Sequence, residues 1–226
     1  KLIGEPSLMR VRQTSKPKNT DEILAGLLAL RKGVAEKIQK NPHQLRYLTR
    51  KMEVSLLKHF MRDEGEGMRY LETRVRQAES PFLKTLYQAV LKKFKAVAKL
   101  KIPGFKSGTN EDAQRLFFYQ KYAIYEILQR RDEALRSAVE GHPIQNPGVI
   151  LAMEQGLGKT LVALSLIRQH EEGALIVAPN PVGGVWGEQE GRFFEDPGLV
   201  LANQSSSSAK VKAIEEAGKT PKVVPL

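Results

Sequence analysis

Residues 148–162 read Gly-Val-Ile-Leu-Ala-Met-Glu-Gln-Gly-Leu-Gly-Lys-Thr-Leu-Val and decide the fold that we expect. The apolar run Val149–Ala152 predicts a buried strand, and the pattern over 159–171 predicts a helix. A glycine-rich loop between such elements turns backbone N–H groups toward a dense anion at the positive end of the helix. We therefore predict a phosphate-binding loop that holds ATP and its Mg²⁺.

Each residue type in this loop has a distinct chemical task. Gly156 and Gly158 supply backbone freedom, the Lys159 ammonium reaches the β- and γ-phosphates, and the Thr160 hydroxyl ligates Mg²⁺. We take Lys159 and Thr160 as candidate catalytic residues. The residues expected to hold the nucleotide here are Glu154, Gln155, Gly156, Leu157, Gly158, Lys159 and Thr160. The general pattern opens with glycine where this chain has Met153, so a chance surface turn is the competing interpretation.

Downstream of the loop, short apolar runs alternate with helical patterns. Ala174–Ala178, Leu199–Leu201 and the segment opening at Lys222 predict strands, and a helix is expected at about 207–217. Strands that alternate with helices are typical of a parallel sheet flanked by helices. The sequence therefore predicts an α/β fold for this half.

The N-terminal half shows helical periodicity instead. Three amphipathic helices are predicted: one from Thr20 to before Asn41-Pro42, one from Leu45 to Gly65 and Gly67, and one from Pro81 to Leu100. Pro103-Gly104 and the polar residues 106–110 then predict a linker. We expect an all-α domain over 1–105 and a partial ATP-binding lobe over 106–226.

Charge is distributed unevenly along the 226 residues, whose net charge is +11. Residues 1–110 carry 24 Lys+Arg against 10 Asp+Glu, and the remainder carries 12 against 15. The third helix contributes Lys84, Lys92, Lys93, Lys95, Lys99 and Lys101. This excess favours a module that binds DNA, RNA or other subunits, or equally a helical bundle with a solvated lysine face. Among these interpretations of the basic half, a helix lying on a membrane surface is the least favoured.

Several classes of protein are excluded by composition. The chain has no cysteine and four histidines, so disulfides and thiolate metal sites are ruled out. Any metal is expected to arrive with the nucleotide. No apolar run approaches the roughly 20 residues of a membrane span. We expect a soluble intracellular protein with no membrane partner.

Three segments in order resemble one group of motor ATPases. Residues 150–160 are similar to Ile-Leu-Ala-Asp-Glu-Met-Gly-Leu-Gly-Lys-Thr, which is characteristic of Swi/Snf-type DNA translocases of helicase superfamily two. Leu116-Phe-Phe-Tyr-Gln120 resembles the family's Leu-x-x-Tyr-Gln segment. Residues 174–179 followed by Trp186 resemble its Val-x-x-Pro-x-Ser-x-x-x-x-Trp segment.

The resemblance also implies roles for residues outside the loop. It implies that Gln120 recognises adenine, whereas composition alone makes Gln120 an ordinary helix residue. It implies a contact of Asn180 and Pro181 with the DNA backbone, although Pro181 replaces a common serine. Trp186, with Phe193 and Phe194, is interpreted as core packing rather than as a platform for bases.

The resemblance also implies a RecA-like P-loop fold and ATP-driven movement along double-stranded DNA. It extends over residues 114–226 and stops before the family's Asp-Glu box and second lobe. We therefore expect a part of a longer motor that hydrolyses ATP poorly alone. The alternatives are a nucleic-acid-binding scaffold with a degenerate, non-hydrolysing ATP site, and another P-loop protein such as a small kinase or recombinase-like ATPase.

Overall fold

The computed structural model describes residues 40–60, 64–106, 116–141, 148–170, 174–179, 182–201, 207–216 and 222–225. The helix predicted from Thr20 and the residues Asn180 and Pro181 lie outside these ranges. The described residues form two compact units, one helical and one mixed. No helix in these ranges combines the length and apolarity needed to cross a bilayer.

Between residues 40 and 100, the described part of the helical unit forms the helices α1 (Pro42–Phe60), α2 (Glu64–Gln77) and α3 (Pro81–Ala98). Asn41 Oδ1 accepts bonds from the backbone N–H groups of His43 (3.1 Å) and Gln44 (3.3 Å), which caps the start of α1. Pro42 occupies the first helical position, where it lacks only an N–H that would be unpaired anyway. Asn41-Pro42, predicted to stop a helix, thus also begins one.

Helix α2 corrects the sequence prediction, in which Gly65 and Gly67 end the second helix. Both glycines lie inside α2. A Cβ at Gly67 would come within 2.6–2.7 Å of three ring carbons of Phe60. Gly67 therefore serves the close approach of two helices rather than a turn, a use that helical periodicity does not reveal.

The core of the helical unit is aromatic. Phe60, Phe94, Phe118 and Tyr122 are buried, and the Phe60 ring lies 4.6 Å from Phe94 and 4.7 Å from Phe118, centroid to centroid. Phe118 and Tyr122 come from α4 (Phe118–Val139), the helix that opens the C-terminal half of the sequence. Edge-to-face and tilted contacts of this kind add to the free energy from apolar burial.

The two units of the structure do not follow the domain boundary that the sequence predicts between residues 105 and 106. Residues 117–125 belong to the helical unit, whereas 101–106, 116 and the described residues from 126 onward belong to the mixed unit. The reason is the aromatic core, which needs rings from α4. Each unit therefore contains segments that are separated in the sequence, so one domain boundary cannot define them.

The mixed unit alternates helices and strands as predicted: α5 (Lys159–Ile167), β1 (Leu175–Ala178), α6 (Gly183–Phe193), β2 (Val200–Leu201), α7 (Ser207–Glu216) and β3 (Lys222–Pro225). The three strands form a parallel sheet in the order β1, β3, β2, with Leu175 opposite Lys222 and Val200 opposite Lys222. Ile176 and Ala178 face a small core formed with Ile167, Trp186 and Leu199.

The strand predicted over Val149–Ala152 is wrong. In the structure these residues are not in a strand, and Ile150 is 86% exposed. A strand persists only where a neighbour satisfies its N–H and C=O groups. Within the described sheet, β3 pairs with β1 and β2 and no strand pairs with 149–152.

The start of the predicted linker is packed within the mixed unit. Phe105 forms an antiparallel bridge with Phe194, and its ring stacks on Phe193 at 6.2 Å. The Lys106 N–H donates to the Phe193 carbonyl at 2.9 Å, and Gln169 donates to the Lys101 carbonyl at 2.7 Å. Residues 101–106 are therefore part of the fold, and residues 107–110 lie outside the described ranges.

Candidate phosphate-binding site

The backbone of the glycine-rich loop has the conformation that the sequence predicts. Gly156 has φ = 84° and Gly158 has φ = 79°, in the left-handed region that favours glycine. Gly158 is the N-cap of α5, and its carbonyl accepts the Val162 N–H at 3.0 Å. The first N–H groups of the helix have no partner within the helix itself, which makes this end attractive to anions.

Lys159 folds back over this loop. Its Nζ donates to the carbonyls of Met153 at 3.0 Å and Glu154 at 2.9 Å. Both acceptors are neutral oxygens, and hydrogen bonds from an ammonium to charged phosphate oxygens are stronger. The exposed Lys159 side chain can therefore exchange these carbonyls for an anion bound at the loop.

The remaining loop residues differ in their exposure to solvent. Glu154, Gln155 and Gly156 are exposed, whereas Leu157, Gly158 and Thr160 are half-buried. Thr160 occupies the second position of α5, next to the lysine. No cluster of three or more His, Asp or Glu side chains suited to a metal occurs in the described part of the chain. The Thr160 hydroxyl as a ligand of Mg²⁺ stays a prediction from the sequence.

Gln120 lies in the helical unit and is buried. Gln120 is the third residue of α4, and Phe117 directly precedes the helix. The Gln120 Oε1 accepts the Phe117 N–H at 3.0 Å, as in a helix capping box. Tyr119 stacks on Phe117 at 5.7 Å, and burial raises the pKa of its phenol above 10.0. Gln120 therefore caps α4, and its contact with adenine stays a prediction.

The segment predicted to contact DNA connects β1 with α6. Of the two residues assigned to the contact, neither lies within the described ranges. Val182 next to them donates its N–H to the Pro179 carbonyl at 3.0 Å. Trp186 packs against the Ile176 and Ala178 core, which confirms its structural interpretation.

An ion pair that the sequence does not reveal joins a half-buried arginine to a buried glutamate after the loop. Arg168, the C-cap of α5, donates to Glu190 Oε1 at 2.6 Å, and Glu190 Oε2 accepts the Leu199 N–H at 2.7 Å. The Arg168 guanidinium also lies 5.1 Å from the centroid of the Phe194 ring. Glu190 sits in the polar stretch Gly187-Glu-Gln-Glu-Gly191, where nothing in the sequence distinguishes it from its exposed neighbour Glu188.

Comparison with known proteins locates a match in the same part of the chain. No curated protein matches the chain significantly. A protein-family model described as "Type III restriction enzyme, res subunit" matches residues 113–181, about a third of the sequence. The match includes Gln120, the whole glycine-rich loop and β1. The stretch 113–181 is thus similar to a family of helicase superfamily two, whose members are helicase-like ATP-binding motors.

Proposed function

We propose that residues 154–160 bind the triphosphate of ATP with Mg²⁺, and that the chain is the first lobe of a double-stranded-DNA-dependent ATPase of the Swi/Snf translocase type. The observation that carries the proposal is the Lys159 ammonium, bonded at 3.0 and 2.9 Å across a loop with two left-handed glycines at the start of a helix. The superfamily-two match over the same residues supports it.

The proposed binding step uses groups of this chain. The Lys159 Nζ leaves the carbonyls of Met153 and Glu154 and donates to the β- and γ-phosphate oxygens. Backbone N–H groups at the start of α5 would donate to the same anion. The Thr160 hydroxyl would hold Mg²⁺, which would supply neutralisation of the charge that develops on the phosphates.

The narrower translocase assignment rests on the flanking segments. Gln120 follows Tyr119 at the start of α4, and Trp186 packs α6 against the core of the sheet. We propose that Gln120 recognises adenine, since its amide has both a donor and an acceptor. The segment at Asn180 and Pro181 is proposed to contact the DNA backbone through the Asn180 N–H, since proline has no N–H to donate.

Binding of ATP by the purified chain tests the proposal. Lys159→Ala removes charged donors worth about 1.5–3 kcal/mol, so ATP affinity should fall by roughly 10- to 100-fold in calorimetry. Lys101→Ala, at an exposed lysine of the same unit, is the matched control and should bind like the unmodified chain. Equal ATP affinity in Lys159→Ala and the control would reject the site.

A second measurement separates the motor from the scaffold alternative. ATP hydrolysis is followed with and without double-stranded DNA, in the longest natural polypeptide that contains residues 113–226. Turnover stimulated by DNA supports the translocase assignment. Tight ATP binding without turnover would instead favour a nucleic-acid-binding scaffold.

A further inference from the structure

Helix α3 carries lysines that the structure separates into two kinds. Lys93 donates its Nζ to the buried Glu53 carboxylate at 2.7 Å, and its side chain is 24% exposed. Lys95 bridges Glu72 at 2.7 Å on the surface. These two lysines are therefore engaged by carboxylates of the same unit.

The second kind comprises exposed lysines without a carboxylate partner in the described ranges, namely Lys84, Lys92 and Lys99. With about 3.6 residues per turn, they share with Gln88 and Lys95 an arc of roughly 80° on one side of α3. The row extends over roughly 22 Å at about 1.5 Å per residue. We call these five residues the lysine face.

The surface beside this row forms a shallow, open depression. An open groove of about 450 Å³ is lined by Gln88, Leu91, Lys92, Lys95, Ala96 and Lys99. Its three lysine ammonium groups are donors, the Gln88 amide carries both a donor and an acceptor, and Leu91 and Ala96 are half-buried. The nearby Glu72 offsets only the charge of Lys95.

The chemistry of the lysine face favours a polyanion with its charges in a row. Residues 40–100 contain 14 Lys+Arg and 6 Asp+Glu, so the surroundings reinforce the positive potential. An acidic amphipathic helix would need a wide apolar stripe, and here only Leu91 and Ala96 contribute. Lysine ammonium groups contact phosphates as point charges without reading bases.

We propose that the lysine face binds the phosphate backbone of a nucleic acid independently of sequence. The lysine face belongs to the helical unit, and Lys159 belongs to the mixed unit. Binding at the lysine face is therefore separate from ATP binding and does not require Lys159. Salt dependence is the property that identifies such a contact, because each phosphate neutralised releases counterions.

The test is a salt titration of binding between the full chain, without nucleotide, and a mixed-sequence DNA duplex. The triple variant Lys84→Gln, Lys92→Gln, Lys99→Gln should flatten the slope of log K against log salt by roughly two to three, since each lost phosphate contact removes about 0.9. All three side chains are exposed, so circular dichroism should show an unchanged fold. An unchanged slope in this folded variant would overturn the proposal.

Lys93→Gln is the matched control, because Lys93 adjoins Lys92 in sequence but bonds to Glu53. It should lower the unfolding midpoint and leave the salt slope unaltered, and a slope loss equal to that of the triple variant would refute the assignment. Lys159→Ala should retain the full slope, which separates this inference from the ATP proposal. Polyglutamate that binds as tightly as DNA would reject a nucleic acid in favour of an acidic protein.

Discussion

Glu53 is a charged residue that the fold places inside the helical unit. Its Oε2 accepts the Lys93 ammonium at 2.7 Å and the Tyr122 hydroxyl at 2.5 Å, and Arg50 Nη1 donates to the same hydroxyl at 2.9 Å. Only 4% of the Glu53 side chain is exposed. A buried carboxylate is tolerated when it is paired and hydrogen-bonded, as here, and removing one member leaves the others uncompensated.

Glu53→Gln should destabilise the helical unit by about 2–3 kcal/mol, because it leaves the partly buried Lys93 without its counter-ion. Urea unfolding followed by circular dichroism measures this. Glu72→Gln is the control, since it breaks the exposed pair with Lys95 and should leave the midpoint unchanged. Equal midpoints for Glu53→Gln and the unmodified chain would contradict the role given to the network.

The contribution of the Glu72–Lys95 ion pair to folding stability depends on pH. The hydrogen bond and charge of Lys95 lower the pKa of the Glu72 carboxyl from its ordinary value of 4.5. A lowered pKa means that the folded state favours the ionised form. Whatever the pair contributes is therefore present above pH 4.5 and is lost as the pH falls through the lowered value.

At the scale of the helices, the contact between α1 and α2 depends on Gly67, which has no side chain. Gly67 is buried in the first turns of α2 and faces the Phe60 ring at the end of α1. Phe60 in turn contacts Phe94 and Phe118. The ring cannot move away without disturbing the aromatic core, so the helix spacing is set at this point.

Gly67→Ala should cost about 2–3 kcal/mol, as expected where a core is overpacked. The comparison is Gly187→Ala in α6, where a new Cβ has no atom within 4 Å and alanine improves helix propensity by up to about 1 kcal/mol. Thermal unfolding should show a lower midpoint for the first variant only. Combining Gly67→Ala with Phe60→Leu should restore part of the loss, and the absence of any rescue would indicate a different cause.

At the scale of the whole molecule, the segment 117–125 belongs to a unit formed otherwise by the N-terminal helices. It contributes Phe118 and Tyr122 to the aromatic core. Full burial of one large side chain is worth about 1.5–3 kcal/mol. The start of α4, which carries Gln120, is therefore held by the helices that precede it.

A fragment of residues 1–125 should consequently unfold at a clearly higher temperature than a fragment of residues 1–105. The shorter fragment lacks both rings and leaves Glu53 without the Tyr122 hydroxyl. Circular dichroism melting at equal concentration measures the difference. Coincident melting curves would show that the helical unit does not need α4.

The sequence by itself determined the alternation of helices and strands after Lys159, the amphipathic nature of α1 and α3, and the loop with Lys159 and Thr160. These features depend on local periodicity and on glycine conformation, which neighbouring residues in the chain specify. The similarity of residues 113–181 to helicase superfamily two could be predicted for the same reason, since the loop and its flanking motifs are short and contiguous.

The tertiary structure alone decided which residues meet over long distances. It placed β3 between β1 and β2, left Val149–Ala152 outside the described sheet, and made Gly67 a packing residue. It also buried Glu53 and Glu190, and it separated Lys93 from Lys92. The physical reason is that ladder pairing, counter-ions and steric limits come from partners distant in sequence, which no local pattern identifies.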